Sequence, residues 1–311
     1  MTTLVTGANG FVGSALCARL RRDGVPIRGV LRSMRQQQGG GDAVEVGSIS
    51  SETDWSAALG GVQQVVHLAA RVHVMNDVSS NPLAEFLKVN LHGTENLVRQ
   101  AAQAGVKRFV YVSSIKVNGE ETRDGQKFSE TDIPSPKDPY GVSKWQAELA
   151  LQRIAQETGL EVVIVRPPLV YGPGVKGNFA QMLKVLAKGI PLPLAAVTNN
   201  RRSLVALDNL VDLIVTCLSH PAAANQTFLV SDGEDLSTAD LLRRMGLALG
   251  KPARLFYVPP SLLKLGATLL KKDGVYQRLC GSLQVDIGKA QQLLDWKPPL
   301  SVDEGLRRTA E

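Results

Sequence analysis

Short apolar segments rich in β-branched residues alternate with longer amphipathic segments through the first half of the chain. The spacing of the apolar positions predicts helices at 11–23, 51–59, 82–104 and 138–158. Nearly continuous apolar strands that alternate with helices are typical of a parallel sheet covered on both faces. Right-handed crossovers between such strands build a Rossmann-like, doubly wound α/β fold. The predicted strands are Thr3–Thr6, Ile27–Leu31, Val44–Val46, Val65–Leu68, Phe109–Val112 and Val162–Val165.

The pattern changes after about residue 170, where proline and glycine begin to separate shorter elements. Ser203–Leu207 and Asp208–Leu218 predict one more strand and helix, and Gln226–Val230 predicts a further strand. We expect these elements to return to the first domain. The predicted organisation is a first domain at 1–170 that resumes at about 201–230, and a smaller C-terminal substrate-binding region at 171–200 and 231–311.

The charge balance narrows the class of partner. The chain has 35 basic and 29 acidic residues, which leaves a formal net charge of +6. The basic residues occur in scattered pairs without interleaved aromatic residues, which argues against nucleic acid and favours anionic small molecules. The amphipathic segment Ser261–Lys272 has lysines on its polar side and predicts a packed surface helix, with a helix lying on a membrane as the alternative.

Cysteine and histidine usage does not indicate a metal or redox site. The cysteines are odd in number and lack metal-ligand spacing, so we expect buried thiols in a reducing compartment. The histidines also lack ligand spacing and are predicted to be structural. No apolar run approaches the ~20 residues of a membrane span, and the chain opens directly in a strand-like segment, so a cytoplasmic location is expected. These residues are Cys17, Cys217 and Cys280, and His67, His73, His92 and His220.

A glycine-rich turn joins the first predicted strand to the first predicted helix. Its three glycines follow a G-x-x-G-x-x-G spacing. Bare backbone at such a turn can approach a pyrophosphate, and the N-terminus of the helix faces the negative charge. The turn therefore predicts a dinucleotide-binding first domain. The residues expected to contact the cofactor here are Gly7, Asn9, Gly10, Phe11, Val12 and Gly13.

The end of the second strand carries information on the choice of cofactor. An acidic residue there would accept a hydrogen bond from the ribose 2′-hydroxyl of NAD(H). The strand instead ends in Arg32 and Ser33, with Arg35 shortly after. A guanidinium group can pair with a 2′-phosphate, and a serine can add a neutral hydrogen bond. The sequence therefore favours NADP(H), with NAD(H) as the alternative.

Tyr140 and Lys144 form a candidate proton-transfer pair. Four residues span about one helical turn, so both side chains lie on one face of the predicted helix. A tyrosine with the ordinary pKa of about 10 is almost fully protonated at neutral pH. A lysine charge about 4 Å away would lower that pKa by several units. We therefore expect Lys144 to lower the pKa of Tyr140.

Several motifs in a fixed order resemble one enzyme family. After the glycine turn come His67-Leu-Ala-Ala70, Asn90-Leu-His-Gly-Thr94, Val112-Ser-Ser114, Tyr140-x-x-x-Lys144 and Arg166-Pro-Pro-Leu-Val-Tyr-Gly-Pro173. Together they resemble the extended short-chain dehydrogenase/reductase family, whose NAD-dependent epimerase/dehydratase group acts on nucleotide sugars. The residues at 67–75 and 113–120 are most similar to those of bacterial 4-reductases of UDP-4-keto-6-deoxy-N-acetylhexosamines. Those enzymes form UDP-N-acetylquinovosamine for O-antigen synthesis.

The resemblance implies roles for individual residues. Ser114 would hold the ketone oxygen, Tyr140 would protonate it, and Lys144 would grip the nicotinamide ribose. Ser48 stands where the family usually has an aspartate that reaches the adenine. The further cofactor contacts implied are Ser48, Ile49, Leu68, Ala69, Ala70, Asn90 and Pro167. The implied substrate contacts are Ser114, Lys116, Asn178, Leu192, Leu194, Arg202 and Arg278, with the arginines on a diphosphate and the leucines on the base.

The resulting expectation is an NAD(P)H-dependent reductase of the C4 ketone of a UDP-4-keto-6-deoxy-hexosamine. A UDP-sugar 4-epimerase with retained NAD is the first alternative, because it uses the same three side chains. A non-catalytic dinucleotide-binding sensor is the second. The resemblance further implies a UDP- or dTDP-linked sugar as substrate and a homodimer formed through the helices at 82–104 and 138–158.

Overall fold

A computed structural model describes residues 1–33, 42–72, 81–123 and 125–311, and it is organised around a seven-stranded sheet. The strands are β1 (Thr2–Thr6), β2 (Ile27–Leu31), β3 (Asp42–Glu45), β4 (Val62–His67), β5 (Arg108–Val112), β6 (Glu161–Arg166), β7 (Leu169–Tyr171), β8 (Arg202–Ala206), β9 (Thr227–Leu229) and β10 (Asp235–Leu236). The α-helices are α1 (Phe11–Arg22), α2 (Ser56–Leu59), α3 (Pro82–Leu87), α4 (Thr94–Gln103), α5 (Pro139–Thr158), α6 (Gly177–Ala187), α7 (Leu207–Ser219), α8 (Thr238–Ala248), α9 (Pro260–Leu269), α10 (Asp273–Cys280), α11 (Gly288–Leu294) and α12 (Val302–Ala310).

The large sheet has the strand order β3-β2-β1-β4-β5-β6-β9, and every neighbouring pair is parallel. The order reverses direction between β1 and β4. In open parallel sheets a ligand binds at the carboxyl ends of the strands on either side of this reversal. The predicted doubly wound α/β fold is confirmed.

Alternate residues of the central strands pack into two separate hydrophobic cores. Val66 of β4 and Val110 of β5 belong to the core that includes α1 and α7. Their chain neighbours Val65 and Phe109 belong to the core on the other face, with α4 and α5. Successive side chains of a strand point to opposite faces, so an apolar residue at every position requires helices on both sides.

A second, three-stranded sheet has the order β10-β8-β7. The stretch 201–230 was predicted to return to the first domain, and it divides between the two sheets. Helix α7 joins the core beside α1, and β9 pairs with β6 as the edge strand of the large sheet. Strand β8 instead pairs with β7 and β10 in the small sheet. The boundaries of the two regions stay a prediction.

The structure corrects two predicted helices. The helix expected at 51–59 is reduced to α2, and the helix expected at 82–104 is interrupted by a π-helix at Lys88–Gly93. Gly93 lies against Ile49, and a Cβ at this position would overlap the isoleucine side chain. Among the described residues no helix is long and apolar enough to cross a membrane.

Candidate active site

Helix α5 carries the candidate proton-transfer pair. The Asp138 side chain accepts a hydrogen bond from the Gly141 amide, and Pro139 occupies the first turn, so the helix begins immediately before Tyr140. Tyr140 and Lys144 then lie one turn apart on the same face. The Lys144 Nζ atom lies 6.0 Å from the centre of the Tyr140 ring, so the predicted pair is brought together.

Lys144 is buried beneath the carboxyl end of β5. Its Nζ atom donates a 2.9 Å hydrogen bond to the carbonyl oxygen of Val112 and lies 4.4 Å from the centre of the Tyr111 ring. Burial lowers the pKa of Lys144 to about 7, although the nearby charge of Glu148 acts in the opposite direction. The lysine is therefore poised to gain or lose a proton near neutral pH.

The pKa of Tyr140 does not follow the expectation from the sequence. Burial raises it, and the negative charge of Asp138 raises it further. The Tyr140 ring packs edge-on against Phe86, with 6.1 Å between the ring centres. The predicted lowering by Lys144 is therefore not seen in this structure. Desolvation of the phenolate outweighs the attraction of a lysine whose own pKa has fallen.

Two adjacent serines follow β5, and the structure gives them different roles. Ser113 is buried, and its hydroxyl donates a hydrogen bond to Glu148. Ser114 is half-buried and begins a short 3₁₀-helix, where its Oγ atom accepts a hydrogen bond from the Lys116 amide at 3.3 Å. Within the described part of the chain the Ser114 hydroxyl donates no hydrogen bond, so its proton is available to a ligand, and Ser114 stays the candidate catalytic serine.

A buried ion pair lies directly behind these groups, and the sequence reasoning missed it. Arg166 and Glu148 are 5% and 1% exposed, and their closest nitrogen and oxygen atoms are 2.6 Å apart. Arg166 also donates to the side-chain oxygen of Asn118 at 2.9 Å. The sequence already places Glu148 near the proton-transfer pair, because Tyr140, Lys144 and Glu148 follow each other at intervals of four residues on one helical face.

Lys116 is paired with acidic residues near the start of helix α5. Its ammonium group forms ion pairs with Asp138 and, at 3.2 Å, with Glu120. Burial lowers the pKa of Lys116, but the hydrogen bond and charge of Asp138 raise it above its usual value overall. Lys116 therefore neutralises the carboxylate of Asp138, which caps α5 two residues before Tyr140. Its expected contact with substrate stays a prediction.

The glycine turn has the geometry that a pyrophosphate requires. Gly7 has a positive φ of 66°, and a Cβ there would come within 3.0 Å of the Ala69 amide nitrogen. A Cβ at Gly13 would overlap the carbonyl oxygen of Gly7. Helix α1 starts after Gly10 without a side-chain cap, so its first amides face the turn. These features fit a dinucleotide cofactor.

The other predicted cofactor residues follow the carboxyl ends of the strands, on the side of the sheet where the turn lies. Leu68, Ala69 and Ala70 follow β4, and the Thr6 hydroxyl accepts hydrogen bonds from the amides of Leu68 and Ala69, each at 3.1 Å. His67 bonds to Thr6 at 2.7 Å, and burial lowers its pKa to about 3. The further residues at this side are Arg32 and Ser33 after β2, Ser48 and Ile49 after β3, and Pro167 after β6. Arg35 and His73 lie outside the described residues.

Asn90 is a structural link between two parts of the site. Its side chain accepts from the Arg71 amide at 2.8 Å and donates to the Arg71 carbonyl oxygen and to Ser143. Ser143 lies on α5, next to Lys144 in sequence. Asn90 therefore positions the segment after β4 against α5, and a direct contact with cofactor stays a prediction.

The predicted substrate residues other than Ser114 and Lys116 lie in the second region. Arg202 of β8 donates to the carbonyl oxygen of Gly281 at 3.1 Å, and burial lowers its pKa. Asn178 is exposed in the first turn of α6. Arg278 is exposed and donates to the carbonyl oxygen of Gly274 in its own helix, so it does not point into a shared clamp here.

The two predicted base-binding leucines differ in exposure. Leu194 is 8% exposed and belongs to the core of the second region. Leu192 is half-buried and packs against the same core. Only Leu192 keeps a substantial surface for a ligand.

Comparisons with known proteins place these features in context. The model of the NAD dependent epimerase/dehydratase family matches residues 3–231. The chain is 47% identical to a UDP-glucose 4-epimerase of Vibrio cholerae, over 99% of this chain and 94% of that protein. It is 28% identical to the N-acetyl-alpha-D-glucosaminyl-diphospho-ditrans,octacis-undecaprenol 4-epimerase of Escherichia coli O157:H7, with the same coverage of 99% and 94%. The solved structure of a Thermus thermophilus UDP-glucose 4-epimerase in complex with NAD is similar at 25% identity and a TM-score of 0.77, over 100% of this chain and 98% of that one.

Proposed function

Because the chain belongs to the NAD dependent epimerase/dehydratase family, we propose that it inverts C4 of the sugar in a UDP-linked sugar. The observation that carries the proposal is that Lys144, one helical turn from Tyr140, bonds to the carbonyl oxygen of Val112 two residues before Ser114, at the carboxyl edge of the sheet where the glycine turn also lies. The 47% identity to a UDP-glucose 4-epimerase supports epimerisation better than the one-way reduction expected from the sequence.

The cofactor of this reaction is proposed to be NAD held at the glycine turn. Gly7 and Gly13 would admit its pyrophosphate, and the first amides of α1 would bond it. When bound, the nicotinamide supplies the hydride acceptor and donor that C4 inversion needs. Retention of the cofactor through both halves of the reaction leaves its net oxidation state unchanged.

The protein side chains manage the C4 oxygen. Ser114 would donate a hydrogen bond to it, and Tyr140 would take the proton of the C4 hydroxyl and later return it to the opposite epimer. Burial raises the pKa of Tyr140 and so opposes its phenolate form. The positive charge of Lys144 is therefore needed to stabilise the phenolate. Lys144 itself has a pKa of about 7 and is able to exchange a proton with its surroundings.

The substrate is proposed to be recognised through its diphosphate. The names of the two curated relatives share a sugar joined to a diphosphate, carried by uridine in one and by undecaprenol in the other. Arg202 is a half-buried arginine on β8, and its planar donors suit paired phosphate oxygens. We assign uridine as the carrier because of the much higher identity to the first relative.

Reduction of a UDP-4-keto-6-deoxy-hexosamine is the second candidate function. It is favoured by Arg32, which is exposed directly after β2 where an acid would select NAD(H). A reductase that draws NADPH from solution would use this arginine on the 2′-phosphate. The predicted NADP(H) preference belongs to this candidate.

One experiment separates the two functions. Purified protein is incubated with UDP-glucose or UDP-N-acetylglucosamine and a trace of NAD, and the sugars are analysed by NMR. The expected result is a mixture of C4 epimers with no net change in nicotinamide absorbance. Tyr140→Phe should lower the rate by roughly 10²–10⁴, whereas Tyr257→Phe at a 72% exposed tyrosine should not.

A different result would support the second function. Unchanged UDP-sugars, together with stoichiometric loss of NADPH on UDP-4-keto-6-deoxy-GlcNAc, would make epimerisation wrong and reduction correct. If neither cofactor nor substrate is consumed under any of these conditions, the non-catalytic dinucleotide-binding sensor is the remaining candidate.

A further inference from the structure

Residues 251–280 concentrate exposed apolar side chains to an unusual degree. Fifteen large apolar residues are exposed among the described residues, and seven of them lie in this tenth of the chain. Scattered single apolar residues are normal on a protein surface, but a cluster indicates an interaction site. We call this segment the basic-apolar face. Its exposed apolar members are Phe256, Tyr257, Leu262, Leu265, Leu269, Leu270 and Val275.

Helix α9 is apolar on two sides, and only one of them meets the protein. Leu263 is half-buried against the core of the second region. Leu262, Leu265 and Leu269 follow at i, i+3 and i+7 and are 56%, 55% and 74% exposed. A surface helix normally has polar residues along its outer side. More than half of the surface of each outer leucine of α9 is therefore exposed to water.

The same segment carries most of the excess positive charge. Its six basic residues stand against one acid, Asp273, so it holds five of the six net charges of the chain. Within the described ranges none of the six forms an ion pair with an acidic side chain, and Asp273 accepts a hydrogen bond from Thr268 at 2.6 Å. The basic residues are Lys251, Arg254, Lys264, Lys271, Lys272 and Arg278.

We propose that the basic-apolar face binds the surface of a membrane that contains anionic phospholipids. Leucines on a helix can enter the boundary between headgroups and acyl chains while lysines bind the phosphates. The lysines at 271 and 272 follow directly after Leu269 and Leu270, so both kinds of contact lie side by side. This binding is independent of the proposed catalytic function.

Two other occupants fit these observations less well. A symmetric contact with a second copy would bring two segments of the same positive charge together. A nucleic acid would neutralise the lysines but would leave the leucine row of α9 exposed to water. An anionic bilayer satisfies both the charge and the apolar surface.

The position of the face gives this binding a consequence for the active site. Helix α10 ends at Cys280, and the next residue, Gly281, accepts the hydrogen bond of Arg202. The backbone at Leu255 pairs with Leu192, another candidate substrate residue. A protein bound through this face would hold its candidate diphosphate site close to the membrane surface.

Co-sedimentation with vesicles tests the proposal on the full-length protein. Vesicles of phosphatidylcholine alone are compared with vesicles that also contain phosphatidylglycerol, over a range of salt concentrations. The protein should bind the anionic vesicles, and salt should weaken the binding. Leu262→Ser/Leu265→Ser/Leu269→Ser and, separately, Lys271→Glu/Lys272→Glu should each weaken it by about tenfold or more.

Matched variants serve as controls. Ile133→Ser, at an 89% exposed residue outside the face, and Arg21→Glu/Arg22→Glu, at another adjacent basic pair, should bind as the native protein does. Equal loss of binding in target and control variants would overturn the proposal, as would the absence of binding to anionic vesicles. A leucine variant that changes only the oligomeric state in light scattering would assign the face to self-association instead.

The catalytic variant keeps this test separate from the proposed function. Tyr140→Phe should bind vesicles as the native protein does. A protein that binds anionic vesicles through the basic-apolar face but inverts no sugar would support this inference and overturn epimerisation.

Discussion

Replacement of Glu148 by glutamine tests whether the buried ion pair holds helix α5 in place. Glu148 accepts hydrogen bonds from Arg166 at 2.6, 3.1 and 3.2 Å and a further one from Ser113. The glutamine has the same shape but no charge, so the arginine would remain as an uncompensated charge in an interior site that is 5% exposed.

The expected cost is large. Removal of one partner from a buried pair destabilises a protein by about 3–5 kcal/mol, and the amide oxygen of glutamine retains part of the bonding, so we expect about 3 kcal/mol. At about 2–4 °C per kcal/mol for chains of 150–250 residues, the melting temperature should fall by roughly 5–10 °C in this longer chain. The Glu148 charge also raises the pKa of Lys144, so Glu148→Gln should lower that pKa further.

Urea unfolding followed by circular dichroism measures the free energy of unfolding. Glu157→Gln is the matched control, because Glu157 lies on the same helix and pairs with Arg99 and Arg153 at the surface, where it is 44% exposed. Exposed pairs contribute about 0–1 kcal/mol. Replacement of the pair by Glu148→Leu/Arg166→Met should cost less than Glu148→Gln alone, since it leaves no uncompensated arginine charge.

The outcome that would refute this reasoning is specific. If Glu148→Gln and Glu157→Gln change the free energy of unfolding by the same amount, the buried pair does not hold the helix in place. A double replacement that is less stable than the single one would also contradict the argument.

Three further predictions follow from the site. Ser114→Ala should lower the turnover rate by roughly 10²–10³-fold through loss of a hydrogen bond to the C4 oxygen. Ser113→Ala should mainly lower stability, by about 1 kcal/mol, because its hydroxyl bonds to Glu148. Equal effects of the two variants on the rate would contradict the assignment of Ser114. Asp138→Asn keeps a helix cap but removes the negative charge that raises the pKa of Tyr140, so the pH profile of kcat/KM should move to lower pH. An unmoved profile would show that the charge of Asp138 does not affect the titration of Tyr140. The pKa of His67 is lowered to about 3 in the folded protein, so stability should fall as pH drops from about 6.5 towards 3, by up to about 1.4 kcal/mol per pH unit. Urea unfolding at a series of pH values measures this dependence. His67→Gln should reduce the slope of the free energy of unfolding against pH.

Some features of the site follow from local spacing and were predictable. The glycine turn joins a strand to a helix, and four residues in a helix place Tyr140 and Lys144 on one face, whatever the rest of the chain does. The exposed leucines of α9 also belong to a segment whose amphipathic character was visible in the sequence. Its alternatives, a packed helix or a membrane helix, were left open.

Other features depend on contacts between distant parts of the chain. The Tyr140 pKa is raised by burial, which spacing does not reveal. Strand β8 looks like any strand of the large sheet, but its partners are β7 and β10.

The fold class, the cofactor turn and the spacing of the catalytic pair could be predicted from the residues alone, because each depends on periodicity or on covalent neighbours. Contacts formed on folding were needed to show that Ser113 bonds to Glu148 while Ser114 is left available, and that Arg166 completes a buried pair across 18 residues. The same contacts leave one row of leucines on α9 without a partner. These outcomes depend on which surfaces exclude water after folding, and that property belongs to the assembled chain.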